Sequence, residues 1–228
     1  MPEVSCNLSD CFLCSSCIPE WKAAIAITKK TLYFKKGKQV FQEGEPVKGI
    51  FFVYSGSVKI YKQWGKNKEL ILRLAKSGNV FGHRGLGGDE LYPISATALE
   101  DVKACFITNE FLEASLKTNP GFTYKLLQFY ASELQNAEKR MRNLAHMEVR
   151  GRIADALLQI GDVYGYDKNR FIATSLSRQD ISSYAGTTYE TVFKFFKELA
   201  RRKIISTSGK NIRINKPDQL QKFISDRF

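Results

Sequence analysis

The sequence has few of the features that support catalysis, membrane insertion or export. Only two of its 228 residues are histidine, and it contains no nucleophile–base pair, HExxH motif or phosphate-binding GKS/T motif. No apolar run reaches the roughly 18–20 residues that a membrane-spanning helix needs. The N-terminus lacks the basic start and apolar core of a signal peptide. We therefore expect a cytoplasmic protein that is not an enzyme and has no membrane partner.

Acidic residues are also scarce, with 23 Asp and Glu against 35 Lys and Arg, which gives a net charge of +12. Residues 148–228 carry 15 basic and 9 acidic side chains, whereas residues 1–147 carry 20 and 14. The positive charge is therefore almost twice as dense in the C-terminal third. Such an excess predicts attraction to polyanions, although a basic solvated surface without a nucleic-acid partner fits the same numbers.

Cysteine is rare except at the start of the chain. Four of the five cysteines fall within the first 17 residues, and the fifth is distant: Cys6, Cys11, Cys14, Cys17 and Cys105. A disulfide framework is not expected in a cytosolic protein, so this clustering suggests metal or redox chemistry. Two alternatives stay open. Cys105 fits a small buried core residue, and the others fit a tail with chance thiols.

Residues 23–118 are predicted to form an antiparallel β-roll or jelly roll. Short segments rich in β-branched and aromatic residues alternate with glycine-containing turns, and many such strands at regular spacing indicate a closed antiparallel fold. The predicted strands are 31–35, 40–42, 50–54, 58–61, 70–74 and 102–107.

A change from strand to helix periodicity follows at Asn109. Asn119 and Pro120 predict the start of a long helix, with proline at its first position. An uncharged heptad stripe runs along this helix at Leu127, Tyr130, Leu134, Ala137, Met141 and Leu144. This stripe predicts dimerisation through residues 119–147, even without a bound signal. The alternative is a helix that packs on its own barrel.

The C-terminal domain, 148–228, is predicted to contain a helix-turn-helix. After a helix at 148–163, Ser177 and Asp180 have the spacing of a capping box, and Gly186 suits a left-handed helix end.

The second helix of the motif is predicted at 188–202, with Thr187 and Thr188 at its start. Glu190 could close a second capping box with Thr187, and 204–214 would form a β-hairpin wing. Val192, Phe195, Phe196 and Leu199 have the spacing of a core face. The opposite face carries aromatic and charged side chains that suit base edges. The predicted DNA contacts are Ser177, Arg178, Thr188, Tyr189, Glu190, Phe193, Lys194, Lys197, Arg201 and Lys210. An ordinary surface ion pair between Glu190 and Lys194 is the alternative.

The order of β-roll, long helix and winged helix-turn-helix resembles the superfamily of the cyclic AMP receptor protein and the fumarate/nitrate reductase regulator (CRP/FNR). The segment 177–192, SRQDISSYAGTTYETV, is similar to that family's T-R-x-D/E-I-x-x-x-x-G-x-x-x-E-T-V signature. By resemblance, Glu190 and Lys194 occupy base-reading positions, although the family more often has Arg at the second. The resemblance covers nearly the whole chain and lies nearer the FNR-like branch.

The resemblance also points to an effector pocket at Gly82, His83, Arg84 and Ser95. Cyclic-nucleotide members have Glu and Arg where this chain has His83 and Ile94. A bound phosphate would therefore lack its main partner, and we expect that cyclic AMP is not the ligand. Arg84 could replace the missing arginine, but it lies at another point of the loop.

The fumarate/nitrate regulator holds a [4Fe-4S] cluster on N-terminal cysteines and one in the β-roll. The resemblance therefore implies Cys11, Cys14, Cys17 and Cys105 as ligands, with Cys6 as the alternative. The spacing of the N-terminal cysteines is narrower than in that regulator, so zinc and the absence of any metal remain open.

We therefore predict an α+β protein with a Cys-rich segment at 1–22, then the roll, the dimerisation helix and the winged helix-turn-helix. The expected partners are double-stranded DNA, a second copy of the chain and RNA polymerase. The rival hypothesis is a sensor or interaction module whose helix-turn-helix does not read DNA.

Overall fold

The computed structural model describes residues 11–65, 68–87, 90–174 and 176–225. The chain divides into two compact units. The first holds residues up to 63 together with 73–136, and the second holds 64–72 together with 137 to the C-terminal end.

Most of the first unit is a β-roll of short strands, as predicted. The strands are β1 (Lys30–Phe34), β2 (Gln39–Phe41), β3 (Gly49–Ser55), β4 (Ser57–Trp64), β5 (Lys68–Lys76), β6 (Val80–Phe81), β7 (Ser95–Ala98) and β8 (Val102–Thr108). In the described part of the chain they form two sheets with the orders β1-β8-β3-β6 and β2-β7-β4-β5. The pairs β1/β8, β3/β8, β3/β6, β2/β7 and β4/β7 are antiparallel.

The two faces of the first sheet bury different sets of side chains, because successive strand residues point to opposite sides. Phe51 faces the interior of the roll, where its ring stacks on Phe81 with centroids 5.0 Å apart. Phe52 faces outward, into an apolar cluster that also contains Cys105 and Leu13. The described part of the N-terminal segment, from Cys11 to Cys17, therefore belongs to the core of the first unit.

Three helices accompany the roll: α1 (Trp21–Thr28), α2 (Asn109–Thr118) and α3 (Pro120–His146). Thr108 caps α2 by accepting a hydrogen bond from the Phe111 N–H. The long helix starts at Pro120, as predicted. The Asn119 side chain accepts a hydrogen bond from the backbone of Ile18 at 2.9 Å, so it joins the N-terminal segment to the start of this helix.

The second unit contains α4 (Val149–Tyr164), α5 (Arg178–Ala185), α6 (Tyr189–Arg201), β9 (Ile205–Ser208), β10 (Asn211–Ile214) and α7 (Pro217–Ser225). The strands β9 and β10 form the predicted antiparallel wing. The helices α4, α5 and α6 bury Leu157, Ile181 and Leu199 almost completely.

The observed architecture is the predicted mixture of a β-roll, a long helix and a winged helix-turn-helix. Several short elements were not predicted, namely α1, β6, β7, α7 and a 3₁₀ helix at His83–Leu86. Within the described ranges, no helix has the length and apolar character that crossing a membrane would need.

Candidate nucleic-acid interface and sensory sites

The first helix of the helix-turn-helix begins with the predicted capping box. The Ser177 hydroxyl accepts a hydrogen bond from the Asp180 N–H, and the Asp180 carboxylate accepts one from the Ser177 N–H at 3.0 Å. Two N–H groups that the helix cannot satisfy itself are thereby paired. The start of α5 is therefore set by side chains that are three residues apart.

Gly186 ends α5 in the left-handed region, with φ 63° and ψ 47°, which glycine adopts without a steric penalty. A Cβ atom here would lie 2.6 Å from a methyl carbon of Leu144. The left-handed turn therefore favours glycine at this position, whereas the Leu144 side chain is flexible enough to move away from a Cβ atom.

The cap of α6, the second helix of the helix-turn-helix, differs from the predicted one. Thr188, rather than Thr187, is the N-cap, and its hydroxyl accepts from the Thr191 N–H at 3.3 Å. The prediction of a second capping box between Thr187 and Glu190 was therefore wrong. The pKa of the Glu190 carboxyl is lowered by its own backbone N–H, by the Thr188 hydroxyl and by Lys194. Glu190 thus stays ionised at the positive end of the helix.

The two faces of α6 separate as the sequence predicted. Val192, Phe195, Phe196 and Leu199 are buried. Tyr189 and Phe193 are 39% and 37% exposed, and their rings stack with centroids 6.2 Å apart and an interplanar angle of 14°. The Lys197 ammonium lies 4.5 Å from the Phe193 ring centroid. A layer of aromatic and basic groups therefore faces solvent, and exposed Glu190, Lys194 and Arg201 lie beside it.

Two predicted DNA contacts lie at the wing. The Arg178 guanidinium donates to the carbonyl of Gly209 at 3.4 Å, and its carbon lies 5.9 Å from the Phe196 ring centroid. Arg178 is therefore half-buried and holds the wing turn against the helix-turn-helix. Lys210 is exposed at the next position of that turn.

Sequence reasoning missed two arginines that hold the end of α5 and the turn after it. Arg152 donates to the carbonyls of Ala185 at 3.1 Å and Gly186 at 3.2 Å, and to Met147 at 2.9 Å. Arg140 donates to the Tyr184 carbonyl at 2.8 Å. No local pattern marks these residues, because their partners lie 5 to 44 residues away along the chain.

Some residues of the predicted dimerisation stripe of α3 are exposed to solvent, and others pack within the chain. Leu127, Leu134 and Met141, which are seven residues apart, are 64%, 62% and 64% exposed. Tyr130 is half-buried, because its hydroxyl donates to the carbonyl of His83 at 2.5 Å. Ala137 is exposed and Leu144 is half-buried. Tyr124, which was not predicted, adds a large ring that is 62% exposed.

In the predicted effector pocket, His83 and Arg84 approach Glu133 of α3. The Glu133 carboxylate lies 3.1 Å from Arg84 Nη2 and 3.5 Å from Nε of Arg73, which comes from β5. The His83 ring is 3% exposed, and neither of its nitrogens has a hydrogen-bond partner among the described residues. We call these four side chains the Glu133 cluster.

Burial, together with the charges of Arg73 and Arg84, lowers the pKa of His83 to about 3. The imidazole is therefore neutral at pH 7, and its contact with Glu133 at 3.9 Å is not an ion pair. Arg84, the candidate phosphate partner, is paired with Glu133 instead.

The remaining predicted pocket residues have structural partners. Gly82 has φ 84°, and a Cβ atom there would lie 3.2 Å from the Phe51 ring. The Ser95 hydroxyl is buried and accepts a hydrogen bond from the Glu43 N–H at 3.0 Å, so it holds the loop after β2.

The predicted metal ligands share one apolar environment. Cys11, Cys17 and Cys105 are 4%, 7% and 7% exposed in the same cluster, and Cys14 packs against it. Burial and the neighbouring Cys11 raise the pKa of the Cys17 thiol to about 11. As placed, no three His, Cys, Asp or Glu side chains of the described residues form a group that could hold a metal ion. Cys6 lies outside the described residues.

Comparison with known proteins identifies both units. The cyclic nucleotide-binding domain family matches residues 31–119, and the Crp-like helix-turn-helix domain family matches residues 151–223. The transcriptional activator protein anr of Pseudomonas aeruginosa is 27% identical over 223 residues, covering 94% of this chain and 90% of the relative. The anaerobic regulatory protein of Bacillus subtilis is 26% identical over 226 residues, covering 97% and 93%.

A CRP-like cAMP-activated global transcriptional regulator of Mycobacterium tuberculosis is 27% identical over 205 residues, covering 88% of this chain and 92% of the relative. Among solved structures, FixK2 of Bradyrhizobium japonicum superposes with a TM-score of 0.78 at 25% identity, covering 88% of this chain and all of that one. The two matched domains, their order and the helix-turn-helix agree, and the chain therefore belongs to the CRP/FNR superfamily of DNA-binding transcription regulators.

Proposed function

We propose that the chain works as a homodimer that places one α6 helix per half-site in the major groove of a palindromic DNA sequence. The observation that carries this proposal is the solvent-facing layer of α6, where Tyr189 and Phe193 stack beside Glu190 and Lys194. Exposed aromatic rings are costly in water unless a partner covers them. A two-fold dimer on such a face requires a two-fold related operator.

Each exposed group of α6 suits one feature of the groove. Lys194 can donate to guanine O6 and N7, and Glu190 can accept from cytosine N4. Tyr189 and Phe193 can contact thymine methyl groups. We assign the remaining predicted contacts to backbone phosphates, which position the protein without reading sequence. These are Ser177, Arg178, Thr188, Lys197, Arg201 and Lys210.

Replacement of Lys194 with Ala tests the base-reading role. We expect specific binding to weaken by roughly 1–3 kcal/mol, and the ratio of specific to non-specific affinity to fall with it. Fluorescence anisotropy on a selected palindrome and on a scrambled duplex measures both quantities. Lys168→Ala, an exposed loop lysine outside α6, is the control and should leave the ratio unchanged. An unchanged ratio in Lys194→Ala would refute the role.

The rival hypothesis, a sensor whose helix-turn-helix does not read DNA, predicts a different salt response. Neutralising phosphates releases counterions, so true DNA binding weakens steeply as salt concentration rises. A flat salt response, with equal affinity for both duplexes, would favour the rival.

Support for the homodimer comes from the exposed residues of α3. Leu127, Leu134 and Met141 recur every seven residues and form an apolar stripe with no charge on these positions. Such a repeat buries its side chains when a second helix packs against it. We therefore expect a dimer in the absence of any signal, with the signal changing how the DNA-binding units are held. Monomeric protein at micromolar concentration in sedimentation would contradict this.

For the signal, we propose that Cys11, Cys14, Cys17 and Cys105 hold a [4Fe-4S] cluster, with Cys6 as the alternative ligand. Four thiolates are the ligand set that such a cluster needs, and the four cysteines belong to or pack against one apolar cluster. Their thiols would have to move together to bind it, because as placed they do not form a metal-holding group. The raised pKa of Cys17 means that the metal has to displace a proton. A bound cluster would supply sensitivity to oxygen or nitric oxide. Zinc and a plain thiol switch are the competing assignments.

Anaerobic purification with iron and sulfide analysis separates these assignments. About four iron per subunit, with visible absorption that air bleaches, would support the cluster. Stoichiometric zinc, or metal-free protein that still binds DNA as a dimer, would refute it. Cys105→Ser is expected to abolish iron binding. Ser16→Ala, which removes a hydroxyl between two of the cysteines, should retain it.

We further propose that cyclic AMP is not the effector, because Arg84 is engaged by Glu133 and buried Ile94 occupies the position of the family's phosphate arginine. Isothermal titration with cyclic AMP should show no binding. RNA polymerase is the expected further partner, which would place the protein in the cytoplasm.

A further inference from the structure

A large cavity lies inside the β-roll, and neither the predicted effector residues nor the cysteines of the described chain line it. Its volume is about 580 Å³, within the range of cavities that hold small organic ligands. Its walls are mostly apolar and come from β1, β2, β3, β8, the loop between β2 and β3, and the segment before β7. The apolar wall residues used below are Leu32, Phe34, Val40, Phe41, Phe51 and Phe106.

Strand register explains why these residues meet. Phe106 of β8 pairs with Phe51 of β3 on one side and with Lys30 of β1 on the other. The side chains of Leu32 and Phe34 follow Lys30 on the same face of β1, because strand residues alternate with period two. Val40 lies opposite on β2. The apolar wall of the cavity is therefore a property of the sheet arrangement, and the loop between β2 and β3 adds Glu45, Pro46 and Lys48.

Part of this apolar wall is left open to solvent. Leu32, Phe34, Val40 and Phe106 are only half-buried, whereas the deeper Phe41 is 3% exposed. Half-exposed apolar walls around an empty volume are unfavourable in water and become favourable when an apolar body fills them. The deep end is closed by the Tyr92 ring, which stacks on Phe41 at 3.9 Å.

The mouth of the cavity carries a net positive charge. Lys30 and Lys48 are exposed and line it, and neither forms an ion pair within the part of the chain that the structure describes. Glu45 also lines the cavity, and its carboxylate accepts a hydrogen bond from the Gln42 N–H at 3.0 Å, so the two lysines and this carboxylate together carry one net positive charge. A ligand with an acidic end would therefore find two lysines and an apolar chamber behind them.

We propose that this cavity binds a small amphipathic monoanion, with an aromatic or aliphatic body inside the roll and its acidic group between Lys30 and Lys48. This site is distinct from the residues predicted for the effector pocket, because none of Gly82, His83, Arg84 and Ser95 lines it. The binding claim does not depend on DNA reading.

The cavity also borders the loop that leads to α3. Its wall residues Phe41 and Phe51 both stack on Phe81, with centroids 6.1 Å and 5.0 Å away. Gly82 and His83 follow Phe81, and His83 belongs to the Glu133 cluster. A ligand that moves the Phe41 and Phe51 rings would therefore disturb the contacts of α3. This regulatory part rests on the proposed function, since its readout is DNA affinity.

Binding is tested on the full chain with anilinonaphthalene sulfonate, a fluorescent probe with an aromatic body and one acidic group. We expect one probe per chain, displaced by decanoate and not by decylamine, which has the same body and the opposite charge. Val40→Trp should abolish binding by filling the chamber. Equal displacement by decylamine, or unchanged probe binding in Val40→Trp, would overturn the proposal.

The charge at the mouth is tested by a second variant that does not alter the core. Lys30→Ala with Lys48→Ala should weaken binding about threefold to tenfold, as expected for two solvent-screened charge contacts. Lys36→Ala with Lys38→Ala removes two exposed lysines of the same roll that do not line the cavity, and should have no effect. If both double variants weaken probe binding equally, the effect comes from the net charge of the protein, and the proposed charge contacts at the mouth are refuted.

The regulatory part has its own readout. Saturating decanoate should change the DNA affinity of the wild type and leave that of Val40→Trp unchanged. If decanoate binds and DNA affinity does not respond, the coupling is refuted while the site stands. If DNA is not bound at all, the proposed function fails independently of the probe result.

Discussion

Replacing Glu133 with Gln should destabilise the first unit, because the change removes the negative charge that two arginines share. The carboxylate lies 3.1 Å from Arg84 Nη2 and 3.5 Å from Arg73 Nε. An amide at this position is almost the same size but cannot compensate either guanidinium. The variant therefore isolates charge from packing.

The expected magnitude follows from burial. Breaking a fully buried ion pair by removing one partner costs about 3–5 kcal/mol. The side chains of Glu133, Arg73 and Arg84 are 15%, 16% and 28% exposed, so water compensates part of this loss. We expect about 2–3 kcal/mol, because solvent screens charges in proportion to their exposure. For a chain of this size that corresponds to a decrease in Tm of about 4–12 °C.

Urea unfolding followed by tryptophan fluorescence measures this effect in the correct unit. The sequence contains two tryptophans. Trp21 lies in the first unit, and Trp64, which is 80% exposed, lies in the second. A Trp64→Phe background therefore leaves Trp21 as a reporter of the first unit, which matters because two units can unfold in separate transitions.

Glu100→Gln is the matched control, since Glu100 is exposed in the same unit and surface substitutions usually change stability by less than about 0.5 kcal/mol. If Glu133→Gln and Glu100→Gln have the same unfolding free energy, the Glu133 cluster does not hold α3 to the roll, and the reasoning fails.

Three further predictions follow from other contacts. The pKa of His83 is about 3 in the folded protein and about 6.5 when unfolded. Its contribution to stability is therefore present above about pH 6.5 and lost as the pH falls towards 3, by at most about 1.4 kcal/mol per pH unit. His83→Phe should flatten this part of the stability–pH curve, and an unchanged slope in urea melts at pH 5 and 7 would contradict the assignment. Ser177→Ala should cost about 1 kcal/mol through the lost cap, measured by urea unfolding of the second unit, whereas a change below about 0.3 kcal/mol would show that the Asp180 carboxylate suffices. Leu134→Glu should raise the dimer dissociation constant at least about tenfold in sedimentation, with Gln135→Glu as the charge control; equal constants would remove the α3 stripe from the interface.

Local sequence patterns were enough to predict the helix-turn-helix, because the contacts that define it join residues a few positions apart. The Ser177–Asp180 capping box spans three residues, and the buried face of α6 follows from spacings of three and four. The glycine at 186 was predictable from the left-handed turn that it alone adopts easily. Even here a local ambiguity remained. Thr187 and Thr188 are the same residue type in adjacent positions, and the structure shows that Thr188 is the cap.

Short elements and exposed faces were not decided by local sequence. The strands β6 and β7 have two and four residues, too few to show a period, and they exist because neighbouring strands pair with them. The heptad stripe of α3 contained two sets of positions with the same spacing. Only tertiary contacts showed that Leu127, Leu134 and Met141 are exposed while Tyr130 is held by the His83 carbonyl.

By itself, then, the sequence determined the order of β-roll, long helix and winged helix-turn-helix, the superfamily, and the buried and exposed faces of α6, since these depend on contacts between near neighbours and on a recognisable motif. The tertiary structure alone decided the Glu133 cluster, which joins side chains 49 to 60 positions apart, and the cavity, which needs Lys30, Phe51 and Phe106 side by side on three strands. Such contacts between distant residues leave no periodic pattern in the sequence, because the tertiary fold, and not the neighbouring residues along the chain, brings the partners together.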